Sequence, residues 1–230
     1  MEAPEIKNAL IVVAKRPAPG RTKTRLSPPL KPEQASRLYE CFLKDTIGLI
    51  RQVKQVQPVI AFLPSGAETY FQQLAPDFDL IQQDGLDLGA RLDNAISGYL
   101  SRGYERVVIM NSDSPTLPSA HLSQAFDSLE VDTDVVLGPC DDGGYYLIGV
   151  KQPIPRLLRG VQMSTPTVAA DTIALAVEEK LSIHLLPPWY DVDDAASLTR
   201  LAKEFENGNP RIATYTRNFI TRLTEDGCQI

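Results

Sequence analysis

The chain alternates short apolar runs with longer segments in which apolar residues recur at helical spacing. Residues 9–13 form an uninterrupted apolar run, which is typical of a strand buried in a parallel sheet. Between residues 35 and 50, apolar side chains recur every three or four positions, which predicts an amphipathic helix with Pro32 in its first turn. We predict further strands at 56–63, 78–81, 106–110, 134–137, 145–150 and 181–186. We predict further helices at 67–74, 88–100, 118–129, 164–180, 195–205 and 211–223, with Ser164 as an N-cap.

This alternation predicts βαβ units and therefore an α/β fold with a mainly parallel sheet flanked by helices. No Gly/Ser tract or low-complexity run interrupts the chain, so we expect one domain over residues 1–230. In sheets of this kind, ligands bind beyond the carboxyl ends of the strands. Three loops at such ends have unusual compositions, namely 15–26, 111–115 and 138–144. We expect them to meet in one site.

The composition indicates the cellular compartment in which the protein is expected. The three cysteines contain no C-x-x-C pair, which argues against a disulfide framework or a zinc knuckle and for a reducing compartment. The apolar run at residues 9–14 is too short for a signal peptide or a membrane span, and Lys15 and Arg16 follow it at once. We therefore expect a cytoplasmic protein with no membrane span.

The charge of the chain is distributed unevenly. The formal net charge is −6, yet residues 6–32 contain no acid. This segment holds seven cationic residues, which are Lys7, Lys15, Arg16, Arg21, Lys23, Arg25 and Lys31. A concentrated basic segment in an acidic protein indicates a small anionic ligand, because a nucleic-acid duplex calls for a broad basic face. We expect no nucleic-acid partner.

The loop after the first strand reads KRPAPGRTKTRL and is the candidate phosphate-binding segment. It matches neither a Walker A loop nor the Rossmann fingerprint. Its cations can meet a pyrophosphate, and its glycine lets backbone N–H groups approach closely. The alternative is a solvated basic loop. If it binds phosphate, replacing one of its cations weakens ligand binding and leaves folding nearly unaltered. The candidate residues are Lys15, Arg16, Gly20, Arg21, Lys23 and Arg25.

Two acidic segments are candidate metal ligands. Asp113 follows an apolar strand within NSDSP, and Asp191 and Asp193 lie within DVDD. Mg²⁺ is often held by one or two carboxylates together with substrate phosphates, so these residues predict Mg²⁺ or Mn²⁺ as a cofactor. The alternatives are structural. Asp113 can form an Asx turn or cap the next helix, and Asp193 or Asp194 can cap the helix that starts at residue 195.

The segment GPCDDGGYY holds the candidate catalytic residues. Adjacent carboxylates repel each other, so Asp141 and Asp142 suggest a cation or a proton-transfer role. Gly143 and Gly144 let the main chain approach a substrate, and the ring of Tyr145 can stack on a sugar or a base. The alternative is a tight hairpin turn with Asp-Gly chemistry.

Taken together, these motifs resemble a known family. AKRPAPGRTKTRL, LGARL, NSDSPTL, GPCDDGGYYLIG and DVDD occur in the order found in the bacterial glycosyltransferase family linked to arsenosugar biosynthesis, formerly classed as a domain of unknown function. The resemblance covers about residues 8–203. That family belongs to the nucleotide-diphospho-sugar transferase superfamily, so the resemblance implies the GT-A fold.

The resemblance also implies roles for the motifs. It implies that the loop from Lys15 to Arg25 binds the nucleotide and its phosphates, that Asp113 binds the metal, and that DDGGYY faces the transferred group and the acceptor. The implied reaction is glycosyl transfer from a nucleotide sugar to a small-molecule acceptor. Asn111-Ser112-Asp113 lacks the fuller D-x-D motif of many GT-A enzymes. This keeps open nucleotidyl transfer from a nucleotide triphosphate to a phosphorylated acceptor.

Overall fold

A seven-stranded sheet forms the centre of the protein in the computed structural model, which describes residues 5–228. Its spatial order is β3-β2-β1-β4-β6-β5-β7. The strands are β1 Asn8–Lys15, β2 Val56–Leu63, β3 Asp79–Gln82, β4 Arg106–Met110, β5 Val135–Pro139, β6 Tyr145–Val150 and β7 Ile183–Leu185. β6 runs antiparallel to its neighbours β4 and β5, and the other pairs are parallel. The predicted mainly parallel α/β sheet is confirmed.

Helices cover both faces of the sheet. They are α1 Pro32–Ile50, α2 Glu68–Leu74, α3 Leu88–Leu100, α4 Ser119–Glu130, α5 Pro155–Arg159, α6 Val168–Glu178, α7 Ala195–Asn207 and α8 Thr214–Glu225. One apolar core includes side chains of α1, α2, α4, α7 and α8, and the other includes those of α3, α5 and α6. No helix within residues 5–228 is long and apolar enough to cross a membrane.

The alternation of β1 side chains explains why its sequence is uniformly apolar. Leu10 and Val12 lie in the first core, whereas Ala9 and Ile11 lie in the second, and all four are buried. A strand covered on both faces has no solvent-facing side and therefore carries apolar residues at every position.

The structure differs most from the sequence prediction around helices α5 and α6. Helix α6 begins at Val168, so the prediction that Ser164 caps it is wrong. Ser164 has a φ of 61° in the left-handed region, three residues before the N-cap Thr167. Helix α5 was not predicted, because five residues are too few to display a helical period.

The directions of three strands bring the unusual loops together. β1 is parallel to β4, and β4 and β5 both run antiparallel to β6. The carboxyl ends of β1, β4 and β5 therefore lie at the same edge of the sheet. The loops that begin at Arg16, Asn111 and Cys140 all leave from this edge.

Candidate active site

Main-chain hydrogen bonds join the acidic loops at the carboxyl edge of the sheet. The N–H of Val192 donates to the carbonyl of Asp113 at 2.9 Å. The N–H of Asp141 donates to the carbonyl of Trp189 at 3.0 Å. The segment that contains Asp191 and Asp193 is thus fixed between the loop after β4 and the turn after β5.

A buried ion cluster lies at the centre of this edge. The Lys23 ammonium contacts Asp113 Oδ1 at 2.7 Å and Asp193 Oδ1 at 2.6 Å. The Lys23 side chain is only 6% exposed, and the two carboxylates are 31% and 32% exposed. Arg25 Nη2 donates to the other oxygen of Asp193 at 2.5 Å. One buried cation therefore holds two predicted metal ligands together.

The ion pairs shift the pKa values of Lys23 and Asp193. Burial lowers the pKa of Lys23, but the charges of Asp113 and Asp193 outweigh this effect and raise it well above its ordinary value. Burial raises the pKa of Asp193, but Lys23 and then Arg25 outweigh it, and the net pKa is lowered. Lys23 and Asp193 therefore both stay ionised at neutral pH.

Asp191 lies in a different environment. Its Oδ1 accepts hydrogen bonds from Asn111 Nδ2 at 2.8 Å and from Ser114 Oγ at 2.6 Å. Burial, and after it the charge of Asp113, raises the pKa of Asp191. An aspartate at position 111 would add a third carboxylate beside those of Asp113 and Asp191. The amide of Asn111 instead donates a hydrogen bond to Asp191. This contact gives a physical reason for asparagine in the NSD motif.

The helix that follows DVDD is capped by one of its acids. Asp194 Oδ1 accepts from the N–H of Ser197 at 2.9 Å, so Asp194 is the N-cap of α7. The Asp193 carboxylate is directed at Lys23 and Arg25 instead. Asp113 does not cap α4, since the N-cap of that helix is Pro118.

Two cavities adjoin at the ion cluster. The first, of about 490 Å³, is lined by Lys15, Arg21, Lys23, Arg25 and Arg91 together with Asp113 and Asp193. The second, of about 590 Å³, is lined by Asp142, Gly144 and Tyr145 among others. Arg25, Asp113 and Asp193 line both cavities, so the cluster forms their common wall.

Only four of the six candidate residues in the basic loop line the first cavity. Lys15, Arg21, Lys23 and Arg25 line the first cavity. Arg16 does not; its guanidinium lies 5.8 Å from the centre of the Tyr70 ring. Gly20 has a φ of 69° at the loop apex, where a Cβ would meet nothing within 4 Å.

The two adjacent aspartates, Asp141 and Asp142, also have different surroundings. Asp141 Oδ2 accepts from Arg200 Nη1 at 2.6 Å, and Asp141 lines neither cavity. Asp142 lines the second cavity, and its Oδ1 accepts from the N–H of Gly144 at 2.9 Å. The turn between the antiparallel strands β5 and β6 is therefore present, and Asp142 takes part both in that turn and in the cavity.

Gly143 sits where no side chain fits. Its φ is 87°, and a Cβ would lie 1.8 Å from the carbonyl oxygen of Pro166. Its own carbonyl accepts from the N–H of Ala169 at 3.0 Å. The turn after β5 is thus packed directly against the segment that precedes α6. That segment contributes Met163 and Ser164 to the lining of the second cavity.

We expect Gly143→Ala to destabilise the protein by about 2–5 kcal/mol, because a left-handed alanine costs ~1–2 kcal/mol and the backbone clash adds ~1–3 kcal/mol. Gly20→Ala is the matched control. It has the same left-handed backbone without a clash, and should cost only ~1–2 kcal/mol. Urea unfolding of both variants measures the difference. Equal losses would show that the contact with Pro166 does not restrict position 143.

The structure adds residues to the site that sequence reasoning did not assign. Arg91, from the LGARL stretch, lines the first cavity. The Tyr39 hydroxyl accepts from the N–H of Lys15 at 3.1 Å and lies 2.9 Å from Ser112 Oγ, which joins the end of β1 to the loop after β4. LGARL was a visible signal for Arg91, but Tyr39 is one of many residues on the apolar face of α1.

The residues present fit a divalent cation in one respect. Asp113 and Asp193 already converge on a single positive charge, and a magnesium ion is often held by two carboxylates together with phosphate oxygens. Within residues 5–228, however, no group of three His, Cys, Asp or Glu side chains forms a metal cluster. A metal held by these two carboxylates would complete its coordination with water or with oxygen atoms of a bound substrate.

The sequence of this chain is similar to one protein family and to a curated nucleotidyltransferase. A family model described as an uncharacterized protein conserved in bacteria (DUF2064) matches residues 46–165. A 2-phospho-L-lactate guanylyltransferase from Methanothermobacter thermautotrophicus is 28% identical in an alignment of 206 residues that covers 87% of this chain and 85% of that protein.

Solved structures extend the similarity to the fold. A candidate nucleotide-diphospho-sugar transferase from Desulfovibrio desulfuricans G20 has a TM-score of 0.89 and 29% identity, over 95% of this chain and 96% of its own. The Rv0371c protein of Mycobacterium tuberculosis H37Rv, in complex with manganese, has a TM-score of 0.54 and 18% identity, over 86% and 98%. The predicted nucleotide-diphospho-sugar transferase fold and the prediction of a transferase are confirmed.

Proposed function

We propose that this chain, which belongs to the DUF2064 family of bacterial proteins, transfers a glycosyl group from a nucleotide diphosphate sugar to a hydroxyl group of a small acceptor. The nucleotide occupies the first cavity, with its diphosphate at the common wall. The acceptor occupies the second cavity. Within the superfamily, kinship with the arsenosugar-linked glycosyltransferases stays a prediction based on the motifs quoted above.

The proposal rests on one observation, namely the arrangement of charge on either side of the common wall. Arg21, Lys23 and Arg25 line the side where a leaving diphosphate would gather negative charge. Asp142 lines the other side, where an acceptor hydroxyl must lose a proton. A phosphorylated acceptor is already ionised near neutral pH and needs no such base.

The proposed step forms one bond and breaks one. The acceptor oxygen bonds to the anomeric carbon of the sugar, and the bond from that carbon to the diphosphate oxygen breaks. The electron pair leaves on the diphosphate, where the cations of the basic loop stabilise it. The hydroxyl proton passes to the Asp142 carboxylate.

A divalent cation is part of the proposal. Asp113 and Asp193 would hold Mg²⁺ or Mn²⁺, with Asp191 as a further candidate ligand from the same segment. When bound, the metal supplies neutralising charge to the leaving diphosphate.

We expect Asp113→Asn to weaken Mn²⁺ affinity in the presence of UDP or GDP by at least about tenfold, the loss typical even of residues that only support a ligand. Chelation by EDTA should stop turnover, and Mg²⁺ or Mn²⁺ should restore it. Calorimetric titration of Mn²⁺ measures the affinity, and Asp84→Asn, a loop residue outside both cavity linings, is the control. Full activity of Asp113→Asn in metal-free buffer would contradict the assignment.

Nucleotidyl transfer is the second candidate, and the guanylyltransferase relative favours it. In that reaction the first cavity holds a nucleotide triphosphate, and Arg21 and Lys23 grip its β- and γ-phosphates. A phosphorylated acceptor then attacks the α-phosphorus, and pyrophosphate leaves.

The released product separates the two reactions. We propose incubating the protein with UDP-glucose, GDP-mannose, GTP and CTP in the presence of Mn²⁺ and a panel of small alcohols and phosphate esters. Release of UDP or GDP from a sugar nucleotide supports glycosyl transfer. Release of pyrophosphate from a triphosphate, with both sugar nucleotides left intact, overturns it in favour of nucleotidyl transfer.

A further inference from the structure

The two cavities carry opposite charge. Five cationic side chains and two carboxylates line the first cavity. Four carboxylates and a single guanidinium line the second; the carboxylates are Asp113, Asp142, Asp191 and Asp193. The guanidinium belongs to Arg25, which already donates to Asp193. An anion that enters the second cavity therefore meets repulsion on several sides.

The negative charge of the second cavity is not cancelled locally. Lys23 pairs with Asp113 and Asp193, but neither Asp142 nor Asp191 forms an ion pair with any residue in the described range 5–228. Asp191 accepts from neutral donors, namely an amide and a hydroxyl. Asp142 accepts from a backbone N–H.

Much of the remaining lining is apolar. It includes Leu92, Ile109, Met110, Leu147, Met163 and Val168. Five of these six side chains come from α3, β4, β6 and α6, and Met163 comes from the segment before α6, so the apolar surface is built mainly on helices and strands. Its volume of about 590 Å³ is within the range of small-molecule sites.

We propose that the acceptor is an alcohol that carries no negative charge and has an apolar face beside its reacting hydroxyl group. The inference rests on the proposed function and names the acceptor class for the same site. The apolar wall binds the body of such a molecule, and Asp142 accepts from its hydroxyl group. Phosphorylated and carboxylated compounds are rejected, because like charges brought together disfavour the wrong partner.

A matched pair of probes tests this inference without knowledge of the natural acceptor. p-Nitrophenyl β-D-glucoside and p-nitrophenyl β-D-glucuronide share the same ring and aryl group, and differ by one carboxylate. We expect the full chain to bind the glucoside at least about tenfold more tightly than the glucuronide, which corresponds to ~1.4 kcal/mol. Ligand-observed NMR titration gives both dissociation constants. Equal binding, a preference for the glucuronide, or binding of neither compound overturns the inference.

Variants assign the preference to this cavity. Met163→Arg adds a cation to its lining and should lower the preference severalfold, whereas Val177→Arg, on the 65% exposed side chain of α6, should leave it unchanged. Asp142→Asn removes one charge at constant volume and provides a second variant should Met163→Arg fold poorly. An undiminished preference in both cavity variants overturns the inference.

A second measurement distinguishes failure of the proposed function from failure of the proposed acceptor class. Thermal shifts with UDP and GDP test nucleotide binding independently of the acceptor. Absence of both shifts contradicts the proposed function, whereas a normal shift with no charge preference between the probes contradicts only the acceptor class.

Discussion

Asp142→Asn should lower kcat by ~10²–10⁴-fold while the affinity for nucleotide stays near that of the wild type, because this is the usual contribution of a general base. Asn keeps the side-chain oxygen that accepts from the N–H of Gly144, so the turn is preserved and only the basic carboxylate is lost. The effect should appear in kcat and not in nucleotide binding, since Asp142 lines the second cavity and not the first. Steady-state kinetics and calorimetry measure the two quantities.

Asp141→Asn is the control for this prediction. Its carboxylate pairs with Arg200 on the surface, and half of the Asp141 side chain is exposed. An exposed ion pair contributes ~0–1 kcal/mol, so we expect near-normal kcat and stability. Near-normal kcat in both variants would show that the two aspartates have a purely structural role in the turn.

Lys23→Met should destabilise the protein by about 3 kcal/mol, at the low end for breaking a buried ion pair, because the two carboxylates are about a third exposed. Without the ammonium, Asp113 and Asp193 face each other with no buried cation between them. Mn²⁺ should then stabilise this variant in the absence of nucleotide, since the ion can take the place of the lost charge. Urea unfolding with and without Mn²⁺ measures both effects.

Arg25→Met is the control for Lys23→Met. The Arg25 side chain is 69% exposed, so its loss should cost under about 1 kcal/mol. Both variants should weaken nucleotide binding by ~1.5–3 kcal/mol for each charge-assisted hydrogen bond lost. Wild-type stability in Lys23→Met would show that the buried cluster contributes nothing to folding.

This pair of variants revises an expectation drawn from the sequence. Within the basic loop, Lys23 and Arg25 have the same charge and neighbouring positions, so both were expected to affect ligand binding and not folding. The structure separates them by burial, since Lys23 is 6% exposed and bridges two carboxylates. Those partners are 90 and 170 positions further along the chain, and no local pattern reveals such a contact.

The sequence by itself determined the class of fold and the loops of the site. Uniformly apolar strands alternating with amphipathic helices predict a parallel sheet, because each strand is covered on both faces. The strand ends then locate the loops at 15–26, 111–115 and 138–144, which the structure brings to one edge. The direction of β6 was beyond this reasoning, since an apolar run has no polarity that distinguishes a parallel from an antiparallel strand.

Only the tertiary structure decided what each charged residue faces. Neighbouring residues in DDGG and in DVDD have the same chemistry in the sequence but different partners in the fold. Asp141 faces Arg200 and Asp142 faces the second cavity; Asp193 faces Lys23 and Asp194 caps α7. Charge and hydrogen-bonding capacity are properties of a residue type, whereas burial, partner and cavity depend on distant segments that meet only on folding.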